Sequence, residues 1–367
     1  MKKNLFGWLA MATMLVGTGC SSDEVVNDYS PENAIQFGTY TGRDAQGRGT
    51  IINNVGGDGY AQLSSFGVFA FYRDGGNAVT VPNFMNNQLV SRVGTTTTWT
   101  YSPIKYWPNE SSDKIDFYAY APHIADKQWS SNAIGIEVPK EVVNQTDYLV
   151  AEPIGNQVKQ SETVNFTFTH AMSRVGFKVE AVIEDVNGEL NGHKPDTDGA
   201  ENTGKDTSTT ISVQEVKLIG NFYNKAKLNL VGQNWDYSNA SFYDNTPVSY
   251  TLSTTNFNAD VAANVTTTKQ TLNNMSSYFM LIPRAFTDED PVRVYVKYTV
   301  TTADTKLENG KIAIENEITS DPFAFTFAQG QAYDLVLHLG LRSVKLSATV
   351  TNWDGNVDDV VVNVPLN

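Results

Sequence analysis

Period-two alternation of apolar and polar residues recurs along this chain and constrains its fold more than any other feature. Segment 164–169 places Val and Phe on one face and Asn and Thr on the other. Comparable alternation recurs at 175–180, 292–300, 323–327 and 335–341. Because successive side chains of a strand point to opposite faces of a sheet, these segments indicate strands. No stretch shows helical spacing of similar strength, so the sequence predicts an all-β protein.

Turn-forming clusters lie between the alternating segments. Gly, Asp and Asn are concentrated at 56–59, 74–77 and 354–356, where they favour tight turns. The continuous apolar run at 66–72 predicts a strand covered on both faces. Abundant Tyr, Phe, Val and Thr suit a pleated, half-buried surface. Many short strands separated by such turns predict β-sandwiches.

The length of the chain predicts more than one sandwich. Its 367 residues allow two domains of ordinary size, and we place the boundary near residue 165, which gives domains at 49–165 and 166–367. The polar segment 187–210 predicts a loop rather than a core element. With a single cysteine the chain cannot build a disulfide framework, so its stability must come from apolar cores.

The first nineteen residues have the features of a secretory signal peptide. Two lysines precede an apolar run at 5–16, and small residues at 17–19 lead to Cys20. The run is shorter than the roughly 20 apolar residues that span a bilayer, so residues 1–19 predict a cleaved signal. The junction resembles a bacterial lipobox, which makes Cys20 the predicted acylation site. A free thiol is the alternative, although an oxidising compartment disfavours it.

The acidic composition excludes one class of partner. The formal net charge is −14, whereas phosphate binding needs a basic face, so we expect no nucleic-acid partner. Segment 196–199 resembles the start of a calcium-binding loop, but Thr207 stands where that loop needs a bidentate glutamate. We therefore expect no metal site and no other cofactor.

Motifs that carry catalysis are absent from the sequence. No HExxH pair, GxSxG elbow, P-loop or dinucleotide fingerprint occurs, and histidines 123, 170, 193 and 338 have no catalytic spacing. We therefore expect a protein that is not an enzyme.

Tryptophans scattered along the chain form either a glycan-binding platform or ordinary core packing. They are Trp99, Trp107, Trp129, Trp235 and Trp353.

Several segments, taken in order, resemble one known family. They are AIQFGTYTGR (34–43), FGVFAFY (66–72), YSPIKYWP (101–108), DFYAYAP (116–122), FTFTHAMSRV (166–175), YFMLIP (278–283) and AYDLVLHL (332–339). Their order and spacing are similar to those of the fimbrillin family of Bacteroidales, in particular its Mfa-like and FimA-like fimbrial subunit lipoproteins. The resemblance covers nearly the whole chain after the signal peptide. It implies two tandem transthyretin-like β-sandwich domains.

The resemblance also implies a route of assembly. Such proteins are exported as lipoproteins, and an arginine-specific protease removes the first strand, which opens a groove for a strand from another subunit. Residues 20–48 are then the lipidated tether and the removable strand. Arg43 and Arg48 are the candidate cleavage points, in a Gly-rich polar stretch that a protease could enter. A solvated loop is the alternative interpretation of these arginines.

The donor strand is expected near the C-terminus, within 343–367. Two stretches alternate there, and their apolar positions are Val344, Leu346, Ala348, Val350, Val360, Val362 and Val364. An ordinary intramolecular hairpin is the alternative.

The resemblance implies three partners: other fimbrial subunits, the outer membrane through the lipid anchor, and a host or bacterial surface ligand. It also implies that the protein is exposed on the cell surface in a fimbrium. A second hypothesis is a monomeric surface lipoprotein that keeps its first strand and binds glycans through exposed aromatic residues.

Overall fold

A computed structural model provides the structure of the chain. It describes residues 33–41, 51–53, 60–159, 163–181, 209–243, 247–252, 260–262, 270–271, 278–303, 309–339, 344–352 and 362–364. These residues form β-strands and short 3-10 turns at Asp74–Gly76 and Val142–Asn144, which confirms the all-β prediction. In these ranges no helix is long and apolar enough to cross a membrane.

The strands fall into two groups along the chain. The first group is β1 (Phe37–Thr41), β2 (Ile51–Asn53), β3 (Tyr60–Gln62), β4 (Ser65–Arg73), β5 (Met85–Arg92), β6 (Trp99–Thr100), β7 (Lys114–Ala121), β8 (Ala133–Glu137), β9 (Leu149–Ala151), β10 (Ile154–Gln157) and β11 (Val164–His170). The second group is β12 (Ser173–Ala181), β13 (Thr209–Gly220), β14 (Tyr223–Asn229), β15 (Asn234–Phe242), β16 (Val248–Leu252), β17 (Asp260–Ala262), β18 (Gln270–Thr271), β19 (Phe279–Leu281), β20 (Arg284–Phe286), β21 (Arg293–Ala303), β22 (Lys311–Thr319), β23 (Phe325–Phe327), β24 (Gln331–Leu339), β25 (Val344–Asn352) and β26 (Val362–Val364).

The interior of the described structure consists of separate apolar clusters. The N-terminal core includes Ile35, Phe37, Leu63, Phe66, Val68, Trp107, Phe117, Val164, Phe166 and Phe168. The junction core includes Phe69, Phe71, Tyr120, Ile134, Ile136, Met172, Ala226, Leu228, Trp235 and Met280. The C-terminal core includes Val175, Phe177, Val216, Tyr250, Phe279, Val294, Tyr298, Leu335, Leu346 and Ala348.

The largest sheet separates the first two of these cores. It runs in the order β1, β11, β9, β7, β4, β5, β6, and β10 also pairs with β7. β4 lies inside this order, and its residues 66–71 are all buried. Phe66 and Val68 pack into the N-terminal core, whereas Phe69 and Phe71 pack into the junction core. The continuous apolar run predicted this double coverage, because a strand with a core on each side has no polar face.

A small sheet joins residues that are distant in the sequence. It runs in the order β15, β14, β8. Ile136 lies opposite Ala226, and Ile134 lies opposite Leu228; all four are buried in the junction core. Strands from the two groups therefore share one sheet and one apolar interior. Such an interface is more hydrophobic than the usual contact between mobile domains.

The second half of the chain forms a sandwich around the C-terminal core. One sheet runs β18, β12, β24, β25, β26, with β19 also on β12, and the other runs β16, β13, β21, β22, with β17 also on β13. The alternating residues Val292, Val294 and Val296 are buried between these sheets. Their period of two matches the pleat, because one face of β21 packs inward while the other meets solvent. The predicted β-sandwich class is confirmed.

The crossover between the two halves follows β11. β11 pairs with β1 and β9 in the largest sheet, and β12 pairs with β24 in the second half. Ala171 and Met172, which connect β11 to β12, are fully buried in the junction core. The boundary placed near residue 165 from sequence falls inside β11.

The junction core yields a test of the shared interior. Leu228→Ala removes a fully buried side chain and leaves a cavity, so we expect a loss of about 2–5 kcal/mol in the free energy of unfolding. Val231→Ala, at an exposed position just beyond the same strand, is the matched control and should change stability by less than about 0.5 kcal/mol. Thermal unfolding monitored by circular dichroism measures both variants. Equal stabilities of the two variants would contradict the assigned role of the junction core.

Candidate strand-exchange site

The first described segment crosses the end of the N-terminal core. Ala34 forms a bridge with Tyr106. The Ile35 amide donates to the Lys105 carbonyl at 2.9 Å, and the Trp107 amide donates to the Asn33 carbonyl at 3.0 Å. The amide of buried Ile35 and the carbonyl of buried Asn33 are thereby paired, as a stable interior requires.

Strand β1 then changes partner and lies along β11. The two strands are parallel, with Phe37 opposite Val164 and Thr41 opposite Phe168. The Val164 amide also donates to the Gln36 carbonyl at 2.8 Å. β1 is the terminal strand of the largest sheet as far as the structure describes it. Of its side chains Phe37 is buried in the N-terminal core, whereas Tyr40 is exposed.

The apolar side chains at the start of this segment fill an aromatic pocket. Ile35 and Phe37 are both buried. The Phe37 ring lies 5.3 Å from that of Tyr101, 5.8 Å from Phe166 and 5.9 Å from Phe117, measured between ring centroids. Burial of each such side chain stabilises the fold by about 1.5–3 kcal/mol. Removal of the segment exposes a groove lined by these rings.

Tyr101 fixes the backbone of the same segment. Its hydroxyl donates to the Ile35 carbonyl at 2.8 Å, and the Lys105 amide donates to that hydroxyl at 3.3 Å. Burial raises the pKa of Tyr101 to about 12, so the hydroxyl stays protonated and remains a donor at physiological pH. The sequence around Tyr101 does not indicate this role, because nothing local to a tyrosine shows which distant carbonyl its hydroxyl will meet.

The predicted cleavage points follow β1 in the sequence. Cys20, Arg43 and Arg48 lie outside the described residues. β1 ends at Thr41, so both arginines come after its last residue. A cut after either arginine leaves the whole of β1 on the released N-terminal piece.

The C-terminal strands pair within the same chain. β24 is followed by β25 and β26 in antiparallel pairing, with Leu346 opposite Val364 and Ala348 opposite Val362. Leu346 and Ala348 are buried in the C-terminal core, and Val350 packs against that core. Among the remaining predicted donor positions, Val344 is the first residue of β25. Val360 lies outside the described residues. β26 pairs only with β25 among the described strands.

His170 and His123 each contact a neighbouring group in the described part of the chain. His170 and Asp147 form a buried pair, with 3.0 Å between His170 Nδ1 and Asp147 Oδ2. His123 Nε2 lies 3.3 Å from the Asn87 carbonyl, and burial lowers the pKa of His123. His193 lies outside the described residues. No group of three or more metal-ligating side chains is present in the described ranges.

The tryptophans pack against the protein rather than forming one exposed row. Trp107 and Trp235 are buried, and Trp235 Nε1 donates to the Ala171 carbonyl at 2.7 Å. Trp129 lies 4.9 Å from Phe71 in the junction core. Trp99 packs 4.8 Å from Phe66. Trp353 lies outside the described residues. These contacts favour core packing over a tryptophan platform for glycans.

Removal of the Tyr101 hydroxyl tests how strongly its hydrogen bond stabilises the docked segment that contains Ile35. Tyr101→Phe keeps the ring but removes the hydrogen bond to Ile35, so we expect the docked segment to lose about 0.5–1.5 kcal/mol. Hydrogen exchange at the amides of residues 35–41 should accelerate accordingly. Tyr40→Phe is the matched control, since Tyr40 is exposed on β1, and its exchange should equal that of the unmodified protein. Unchanged exchange in Tyr101→Phe would contradict the role of the hydroxyl.

The chain was compared with curated proteins and with solved structures. No curated protein matches the sequence. Solved structures that match include a candidate cell adhesion protein from Bacteroides uniformis, at 14% identity over 88% of this chain and 98% of the other, with a TM-score of 0.46. A second candidate cell adhesion protein, from Bacteroides ovatus, matches at 13% identity over 89% and 99%, with a TM-score of 0.46. The C-terminally truncated tip fimbrial protein Mfa3 from Porphyromonas gingivalis matches at 10% identity over 79% and 94%, with a TM-score of 0.38.

A family model provides the assignment. The model described as fimbrillin-like matches residues 57–353, which include most of the largest sheet, the junction sheet and most of the C-terminal sandwich. The family consists of structural and adhesion proteins and not of enzymes, which confirms the expectation from the sequence. The match extends over well more than half of the chain, and the protein belongs to the fimbrillin-like family.

Proposed function

We propose that this protein is a fimbrial subunit that is exported as a lipoprotein and polymerises by exchange of a β-strand. Membership of the fimbrillin-like family supports the fimbrial role and a location at the cell surface. In this proposal Cys20 carries the lipid anchor, and the partners are other fimbrial subunits. The assembled fimbria supports adhesion.

One observation carries the assembly mechanism. β1 is a terminal strand among the described residues, its first residue Phe37 and the preceding Ile35 are buried in the N-terminal core, and both candidate arginines follow it in sequence. The segment is therefore deeply docked but can be separated from the rest of the protein by one cut. Its loss leaves a groove with apolar rings and unpaired backbone groups, which is a suitable acceptor for an added strand.

The C-terminal strands differ in how easily they can leave. Withdrawal of β25 removes Leu346 and Ala348 from the C-terminal core, and each such loss destabilises the donor subunit. β26 pairs with a single described strand, β25, whereas β25 pairs with both β24 and β26. Release of β26 therefore costs less free energy than release of β25. We infer that the donor is β26 with the residues around it, including Val360, Val362 and Val364, rather than β25 with Val344 to Val350.

Exchange between subunits produces a filament for a geometric reason. The acceptor groove lies at β1 and β11 in the largest sheet, whereas β26 lies in a sheet of the C-terminal sandwich. Each subunit then donates a strand from one surface and accepts a strand from its neighbour at a different surface. A head-to-tail contact of this kind forms an open chain unless its rotation closes a ring.

Proteolytic cleavage of the chain after β1 tests whether the groove left by β1 accepts a strand from another subunit. Digestion of the purified protein with an arginine-specific protease should release the N-terminal piece. Unheated denaturing gel electrophoresis should then show a ladder of multimers, because an inserted strand is held by both apolar contacts and ladder hydrogen bonds. Arg43→Lys combined with Arg48→Lys is the matched control and should stay uncut and monomeric. A ladder from the uncut control, or clean cleavage without any ladder, would overturn the mechanism.

Removal of residues 357–367 tests the donor. The truncated protein should still be cleaved after β1 but should form no ladder, because the exchanged strand is missing. As a finer test, Val362→Asp combined with Val364→Asp should also block the ladder, since a charge is costly to bury in an apolar groove. Asn363→Asp adds one charge at the intervening position of the alternation and should assemble. Normal multimers from the truncated protein would refute the assignment of the donor.

A further inference from the structure

A cleft lies between the junction sheet and the short ladder formed by β20 and β23. Tyr223 and Tyr237, on β14 and β15, line one wall, and Arg284, Thr326 and Phe327 line the other. The cleft has a volume of about 350 Å³. That volume falls in the range of about 300–1,000 Å³ typical of small-molecule sites. β1 and β26 belong to other sheets and do not line it.

Aromatic rings form an exposed stack beside this cleft. The centroids of Tyr223 and Tyr237 are 5.2 Å apart, and those of Tyr223 and Phe242 are 4.7 Å apart, with interplanar angles of 27° and 14°. Tyr237 and Phe242 remain 42% and 39% exposed. The Tyr237 hydroxyl donates to the Pro283 carbonyl at 2.7 Å, so this ring is held in place. A rigid, solvent-exposed aromatic wall is a common feature of recognition sites.

Arg284 adds a polar group to the aromatic wall. Its guanidinium carbon lies 5.2 Å from the Tyr223 ring centroid and 4.7 Å from that of Phe242. One of its nitrogens donates to Asp290, whose other carboxylate oxygen accepts from Asn221 at 2.6 Å. The second terminal nitrogen, Nη1, has no hydrogen-bond partner among the described residues. Nη1 is itself buried, so a ligand in the cleft does not reach it, and the guanidinium instead packs against the rings of Tyr223 and Phe242.

We propose that the cleft between β14–β15 and β20–β23 binds a pyranose ring of a neutral glycan. A pyranose has an apolar C–H face, which packs on the exposed ring of Tyr237, and a rim of hydroxyls, which hydrogen bond to the exposed Thr326 hydroxyl on the opposite wall. The pairing of Arg284 with Asp290 neutralises most of the local positive charge. The formal net charge of −14 also repels anions. Both features select a neutral sugar over an acidic one.

The glycan site is independent of strand exchange. It uses none of the residues that hold β1 or form β26, so failure of sugar binding leaves the assembly mechanism unaffected. It also differs from the platform considered from sequence, because tyrosines and an arginine form it and tryptophans do not.

Saturation-transfer NMR on the mature chain tests the proposal directly. The probes are methyl α-mannopyranoside, methyl β-galactopyranoside and methyl β-N-acetylglucosaminide, with methyl β-glucuronide as the acidic comparison. We expect transfer from the protein to ring C–H protons of at least one neutral probe, and weaker or no transfer to the glucuronide. Absence of transfer to every neutral probe would overturn the proposal, and a preference for the glucuronide would overturn its assignment to neutral sugars.

Substitutions locate the binding to the cleft. Tyr237→Ala should weaken binding of the best neutral probe by about tenfold, whereas Tyr40→Ala, at an exposed tyrosine on β1, should leave it unchanged. Thr326→Trp fills the cleft from an exposed position without removing a packed side chain, so it should abolish binding in a folded protein even if Tyr237→Ala is unstable. Binding by Thr326→Trp equal to that of the unmodified protein would place the sugar elsewhere and overturn the site.

Discussion

Burial of β4 on both faces is the constraint on which the rest of this structure depends. Phe66 and Val68 lie in the N-terminal core, whereas Phe69 and Phe71 lie in the junction core. The largest sheet is consequently an internal layer with apolar packing on either side. Because the junction core also contains Leu228 and Met280 from the second half, the two halves are joined by a hydrophobic interior of the kind found within domains.

An internal layer leaves the edges of the sheets as the places where the fold can change. β1 ends the described order of the largest sheet, and β26 ends that of one C-terminal sheet. An edge strand can be withdrawn without breaking pairing on a second side, whereas a central strand cannot. Free edges normally invite aggregation. In the proposed mechanism a controlled version of that same pairing links one subunit to the next.

Some aromatic residues of this protein are buried and others are exposed, and the amino-acid composition does not show which. Trp107 and Trp235 are buried, whereas Tyr237 and Phe242 remain well exposed. A tyrosine can lie at a surface with its ring against neighbours and its hydroxyl on a backbone carbonyl, as Tyr237 does with Pro283. This amphipathic character suits a site that must stay soluble when empty and still offer an apolar wall.

The sequence by itself determined the all-β class, the strand at 66–72 with two covered faces, and the family. The class and the strand follow from local patterns, since the alternation period and a continuous apolar run are visible within a few residues, whereas the family follows from the resemblance of several segments taken in order. Only the tertiary structure decided that β8 pairs with β14, that Tyr101 holds Ile35, and that Tyr223 meets Arg284. Each of these contacts joins residues far apart in the chain. A local pattern shows which face of a strand is apolar, but it does not encode which distant strand or carbonyl will lie against that face.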